Sequence, residues 1–328
     1  MTSIREVAKL AGVSPATVSR VINGTAKVDD EKKERVLQVI SETGFVPNEV
    51  ARSLFKKSAK TIGLIIPSIE NPFFTQLAGV IDRVADANGF RVILCNTADD
   101  FEKEKSALQM LAAMNADGII LTTNNMEIQS FVDELSIPVV VTDRLISNQG
   151  IHNYVHCDHY GGGRLAMEHL IESGCKNVVC IQGPQNVSSA RARYEGYRDV
   201  CKEQGIVEQV VNCDYDFHEG LAISEQLLEK YPQVDGILAC NDMVAISIYK
   251  VLHKRKIAVP EQIQVIGFDD IMLSSLMTPE LTTIAQPIEE IGRKAAELII
   301  HREEQGEERE YVFPAKLVVR ETTKGKGC

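Results

Sequence analysis

The sequence predicts an α/β protein in three parts: a small all-helical head, a short linking helix, and a body of two lobes, each built on a parallel sheet. Three observations predict it. Apolar residues recur at helical spacing through the first 45 positions. From residue 61, continuous apolar runs alternate with amphipathic segments, the pattern of parallel sheets covered on both faces. Finally, charge is unevenly divided. The 328 residues carry 35 Lys and Arg against 46 Asp and Glu, a net charge of -11, which taken whole argues against a nucleic-acid partner. Residues 1–60, however, hold eleven basic against seven acidic side chains, or +4, leaving -15 on the remainder. That division suggests a basic nucleic-acid module on an acidic body.

In the head, Ser3-Ile4-Arg5-Glu6 fits a capping box. Ile4, Val7, Ala8 and Ala11 then share one helical face, and Gly12 stops the helix. Ser14-Pro15 restarts the chain with a cap residue and a proline at the first helical position. In this second helix Val18, Val21 and Ile22 point inward. Pro15, Ala16, Thr17, Ser19 and Arg20 stay outside, and Asn23-Gly24 ends it. Two helices joined by a short Gly-containing turn form a helix-turn-helix, and the small, polar and basic outward face suits a helix entering the major groove. A third helix is expected from about 29 to 43, with Val36, Leu37 and Ile40 inward and Gly44 at its end. The next helical stretch, Pro47-Asn48-Glu49-Val50-Ala51-Arg52-Ser53-Leu54, is too short to be stable alone. A linker that folds on binding would look like this.

In the body, core strands are expected at 62–66, 92–94, 118–121, 139–141, 178–181, 236–239 and 263–266, split into two lobes by 154–159. Helices are expected at 73–87, 103–113, 163–172, 190–203, 243–253 and 288–301. Ligands of such sheets sit beyond the carboxyl ends of the strands. Polar, charged and aromatic residues follow those ends: Asn71, Phe73 and Phe74; Asp143 and Arg144; Arg191 and Arg193; Asn241; Phe268 and Asp269; Gln286. Carboxylates, amides and guanidinium groups pair with vicinal hydroxyls, and rings cover the apolar faces of a sugar. Each also has a plain structural reading, Asn71 as a helix cap and the two Phe as core. Their convergence on strand ends favours a binding site.

The eight cysteines are scattered, with neither Cys-x-x-Cys nor zinc spacing. Gly161-Gly162-Gly163 lacks the spacing of a phosphate loop, and Cys157-Asp158-His159 cannot be read as a triad from sequence. The expectation is a cytoplasmic protein without metal, cofactor, disulfide, catalytic activity or membrane span.

The segments IREVAKLAGVSPATVSRVING, PNEVARSL and TIGLIIPSIENPFF resemble the lactose-repressor (LacI/GalR) family of bacterial transcription regulators over essentially the whole chain. The resemblance implies a helix-turn-helix domain over 1–46, a hinge helix and linker over 47–59, and an effector-binding and dimerisation domain over 60–328. The body would be periplasmic-binding-protein-like, with lobe 1 about 60–158 plus 287–310 and lobe 2 about 159–284 plus 313–328. It also implies a homodimer on a pseudo-palindromic operator. Pro15, Ala16 and Arg20 would face base edges, and Thr17, Ser19 and Asn23 phosphates. Thr2, Ser3, Ser14, Asn48, Ala51 and Arg52 complete the contacts, and Leu54 is the minor-groove wedge. Arg20 suits bidentate pairing with guanine, and an apolar wedge bends the duplex. Within the family the body is most similar to ribose-responsive repressors and ribose-binding proteins. That implies a ribose site of Asn71, Phe73, Phe74, Asp143, Arg144, Arg193, Asn241, Phe268, Asp269, Gln286 and an aromatic, Tyr215 with Phe217 as the competitor. Ribose binders usually have Phe there. A repressor sensing a purine, another pentose or a partner protein, and a sugar-binding transport protein, are the alternatives. Some relatives also bind a phosphocarrier protein as co-regulator. The C-terminal VVRETTKGKGC shows no leucine heptad, so a dimer rather than a tetramer is expected.

Overall fold

The computed structural model describes residues 2–24, 27–45, 58–145, 153–301 and 309–325. The chain divides into two compact units, 1–59 and 60–328. The expected hinge residues Asn48, Ala51, Arg52 and Leu54 lie outside the described residues.

The head holds α1 (Ile4–Leu10), α2 (Pro15–Asn23) and α3 (Asp30–Thr43). The Ser3–Glu6 capping box forms in both directions. Ser14 caps α2 with Pro15 at its first turn, and Gly24, at φ 61°, ends it. Asp29 caps α3. Val7, Ala8, Ala11, Val18 and Val36 make the small core, flanked by Val39 and Ile40. Leu37, expected inside, is 48% exposed. It sits one helical step off the ridge of Val36, Val39 and Ile40, which carries the packing.

Among the described residues, the body contains two six-stranded sheets. The first comprises β1 (Thr61–Ile66), β2 (Arg91–Asn96), β3 (Gly118–Leu121), β4 (Val139–Thr142), β5 (Asn153–Cys157) and β11 (Arg309–Phe313), in the order β11-β5-β4-β3-β1-β2. The second comprises β6 (Val178–Gln182), β7 (Gln209–Asn212), β8 (Gly236–Ala239), β9 (Gln264–Asp269), β10 (Thr282–Ala285) and β12 (Lys316–Val318), in the order β12-β10-β9-β8-β6-β7. All pairs are parallel except β10 with β12. The segment expected merely to divide the lobes is itself strand β5 of the first sheet. The boundary expected near 310 falls inside β11, which stays paired with β5 through Phe313. Between strands run α4 (Pro72–Ala87), α5 (Phe101–Ala113), α6 (Ile128–Asp133), α7 (His159–Glu172), α8 (Ser188–Gln204), α9 (Phe217–Lys230), α10 (Asp242–Lys254) and α11 (Ile288–Ile300).

The lobes share an apolar seam. Phe73, Phe74 and Leu77 of the first lobe cluster with Ile271 of the second, flanked by Met243 and Ile246. Two of the three glycines opening α7 serve close packing, Gly162 against Phe268 and Ile284 and Gly163 against α8. A side chain on Gly163 would run into the carbonyl of Arg193, and one on Gly196 into the backbone of Tyr160 and Arg164. Helices α7 and α8 therefore meet backbone to backbone, and Arg193 is fixed at that contact. Among the described residues, no helix is long and apolar enough to cross a membrane.

Candidate effector cleft

A cavity of about 460 Å³ opens between the carboxyl ends of the two sheets, within the size range of small-molecule sites. The strands aim their successors into it. Asn71, Phe73 and Phe74 follow β1; Asp143 and Arg144 follow β4; Tyr215 follows β7; Asn241 follows β8; Asp269 closes β9; Arg193 lies on α8. All nine line the cavity. Phe268 and Gln286 do not line it. Phe268 is fully buried beneath Arg193, with the guanidinium 3.8 Å from its ring centroid. Gln286 Nε2 donates to Asp269 Oδ1 at 2.8 Å. Both support the wall, because side chains alternate along a strand and its final turn and only every second one reaches the cleft. Tyr215 rather than Phe217 reaches the cavity, and Arg191 is exposed, donating to the Gln185 carbonyl.

The cap and core readings of Asn71 and the phenylalanines hold alongside their placement in the cleft. Asn71 Oδ1 accepts from the Phe73 N–H at 3.0 Å, capping α4, and Phe73 and Phe74 meet edge to face at 5.1 Å. Asn241 caps α10 through its Oδ1, leaving Nδ2 buried without a protein partner. Arg144 Nε and the Tyr215 hydroxyl are likewise buried without a hydrogen bond. Buried polar groups without partners are costly, and here three belong to residues that line one cavity. Backbone strain converges too, since Asp99, Asp143 and Asp269 hold φ of 55°, 65° and 116°. Non-glycine residues adopt such angles uncommonly, aspartate more readily than most, and holding them costs free energy that the surrounding structure must supply.

Charge is paired across the walls. Arg193 donates to the Cys240 carbonyl at 2.8 Å and lies 3.2 Å from Asp269 Oδ1. Arg144 pairs with Asp99 at 2.7 Å. Burial works to raise Asp143, but a hydrogen bond from His159 and the charges of His159, Arg193 and Arg144 outweigh it and hold the carboxyl at about 2. Asp269 is pushed up to about 6 by burial, against the opposing charge of Arg193. The sequence reading missed Asp99, Asn124, Asp214, Ser68 and Ser189, which also line the cavity. Asp99 and Asn124 come just after β2 and β3, so the strand-end rule could have found them. Asp214 follows β7, an edge strand whose residues are half-exposed and carry no buried run.

Beside the cleft, Asp242 is fully buried and accepts from Thr283 Oγ1 at 2.6 Å, Ser274 Oγ at 2.7 Å and the Ile271 N–H at 2.9 Å. Burial and then the charge of Asp269 push its carboxyl up to about 7, against those hydrogen bonds. A carboxyl raised on folding binds its proton more tightly in the native state. Its contribution is therefore full at low pH and declines as pH rises from the unfolded value toward 7. The expected result is a melting temperature that falls from pH 5 to pH 8, with Asp242→Asn flattening most of that slope. The shift corresponds to at most about 4 kcal/mol. A slope unchanged in the variant would contradict this.

In the head, Pro15, Ala16 and Arg20 are exposed on α2. Ser3 and Ser14 cap their helices, Ser14 also bonding Thr17 Oγ1 at 2.9 Å, while Thr2 and Ser19 are half-buried.

A helix-turn-helix head and a two-lobed α/β body with a polar, aromatic cleft at its strand ends define the class of ligand-controlled DNA-binding regulators. The chain belongs to the LacI family: residues 3–48 match bacterial regulatory proteins of the lacI family, and residues 59–321 match periplasmic binding proteins and the sugar binding domain of the LacI family. It is 43% identical over 327 residues to the ribose operon repressor of Halalkalibacterium halodurans, covering 99% of this chain and 98% of that one. The lac repressor dimer bound to operator and an anti-inducer is similar at TM-score 0.87 and 26% identity, covering 98% of both chains. A LacI family regulator from Enterococcus faecium with bound ribose is similar at TM-score 0.73 and 28% identity, covering 80% of this chain and 98% of that one.

Proposed function

We propose that this chain is a cytoplasmic, sequence-specific DNA-binding repressor whose operator affinity is controlled by ribose bound in the cleft. The observation that carries the reading is that one cavity receives Asn71, Phe73, Phe74, Asp143 and Arg144 from one lobe and Arg193, Tyr215, Asn241 and Asp269 from the other. Phe73 and Phe74 cover an apolar ring face, and the carboxylates, amides and guanidinium groups take its hydroxyls. Similarity to ribose repressors over the full chain and to a ribose-bound relative supports that choice.

The protein acts as a homodimer. Residues 1–46 of each copy place α2 in one half-site, with Arg20 facing bases, and residues 47–59 supply the hinge with Leu54 as wedge. Sugar held by both lobes favours their closed arrangement. If that arrangement disfavours operator contact, repression is relieved, and by linkage DNA weakens sugar binding equally. Another pentose is a second reading, favoured by the Tyr215 hydroxyl, which is unpartnered and belongs to a cavity-lining side chain. Calorimetric titration with ribose, other pentoses and hypoxanthine tests the assignment. Saturable heat with ribose is expected. Heat with hypoxanthine and none with any pentose would overturn it.

A further inference from the structure

His159 stands outside the expected site, yet it joins the two lobes' binding groups. It opens α7 directly after β5 and is 5% exposed. On one side, Arg193 Nε–H donates to His159 Nδ1 at 3.3 Å. On the other, His159 Nε2 lies 3.2 Å from the main-chain oxygen of Asp143 and 3.4 Å from its Oδ1. A guanidinium offers donors only, so Nδ1 must present its lone pair. The ring proton therefore sits on Nε2, where both nearby atoms of Asp143 are acceptors. The ring is also stacked with His156 at 6.5 Å and lies tilted against Phe268 at 6.0 Å.

We infer that His159 is a positioning residue that ties Asp143 of the first lobe to Arg193 of the second, and that the cleft takes its sugar only while His159 is in the neutral Nε2–H form. The inference rests on the sugar reading above. The groups facing the ring are Asp143 from the turn after β4, Arg193 from α8 and His156 from β5, with Asp269 behind Arg193. Burial, with the charges of Arg193 and His156, lowers the pKa of His159 against the pull of Asp143. A proton on Nδ1 would turn the acceptor into a donor aimed at a guanidinium and break the link between the lobes.

Nitrogen-15 NMR of the histidine-labelled full chain tests this, with the His159 signal assigned by its loss in His159→Gln. The Nε2–H tautomer is expected at neutral pH. Calorimetric ribose titration of variants supplies the second readout. A glutamine offers an amide oxygen to Arg193 and an amide N–H to Asp143, so His159→Gln should bind within about threefold of wild type. His159→Leu removes both bonds, one of them to a charged group, and should bind about thirtyfold more weakly. A Nδ1–H or doubly protonated ring, a glutamine variant as weak as the leucine one, or a leucine variant as tight as wild type would each overturn the inference. Should the leucine variant not fold, the wild-type spectrum and the glutamine variant decide. Absence of ribose heat from the wild type would instead defeat the sugar reading; the spectrum, which needs no ligand, separates the two failures.

Discussion

Arg193→Met is expected to weaken ribose binding by more than a hundredfold and to give a repressor that the sugar no longer releases. The side chain is 6% exposed and spends three of its five N–H donors on the protein, Asp269 at 3.2 Å, the Cys240 carbonyl at 2.8 Å and His159 at 3.3 Å, with the face of Phe268 beneath. Methionine keeps the length and the contact with Phe268 but removes every donor. Removing one partner of a buried ion pair costs about 3–5 kcal/mol, because the other charge stays buried alone. Asp269, already raised to about 6, would then take up a proton at neutral pH. Lysine would not restore function, since a point charge cannot reproduce three directed N–H bonds and a stacked plane. Calorimetry and a melting curve check this; ribose affinity within tenfold of wild type would show that Arg193 is not part of the site.

Gly163→Ala should be the most damaging single-methyl addition in the body. The new Cβ would meet the Arg193 carbonyl, which is backbone and cannot swing away. Helices α7 and α8 must separate, at a cost of about 1–3 kcal/mol for overpacking. Because Arg193 rides on that contact, the separation also shifts the guanidinium relative to Asp269. A melting temperature several degrees lower and a loss of ribose affinity should therefore occur together. By contrast, Gly12→Ala in the head strains a turn at φ 65° where nothing lies within 4 Å, so the body's ribose affinity provides no readout of it.

The parts of the molecule legible in the sequence were those with a strong local signal. The head was readable because its caps and apolar spacing agree with its tertiary packing, and the central strands because they are apolar on both faces. The edge strands β7, β11 and β12 were not read, since half-exposed residues such as those of Gln209–Asn212 alternate too weakly. Helix α9 follows the weak edge strand β7, so no strand end in the sequence announces it. In the cleft, the strand-end rule found residues that face the ligand space, but it could not separate Asp269 from Phe268, its immediate neighbour, which faces the other way. His159 was invisible for a different reason. Its role depends on Arg193 and Asp143, 34 and 16 positions distant in the chain, and no local pattern records such a meeting. The whole-chain charge of -11 was misleading until divided, because the acidic body outweighs a head that alone must meet phosphate.

The central claim is that sugar in the cleft controls operator affinity. The direct measurement is fluorescence anisotropy of the full chain on a pseudo-palindromic duplex selected by the protein from a random pool, at fixed salt, with and without saturating ribose. The account predicts salt-dependent binding of one dimer per duplex and at least a tenfold loss of affinity on adding ribose, with no loss in Arg193→Met. Operator affinity unchanged by ribose, in a protein that binds the sugar, would contradict it.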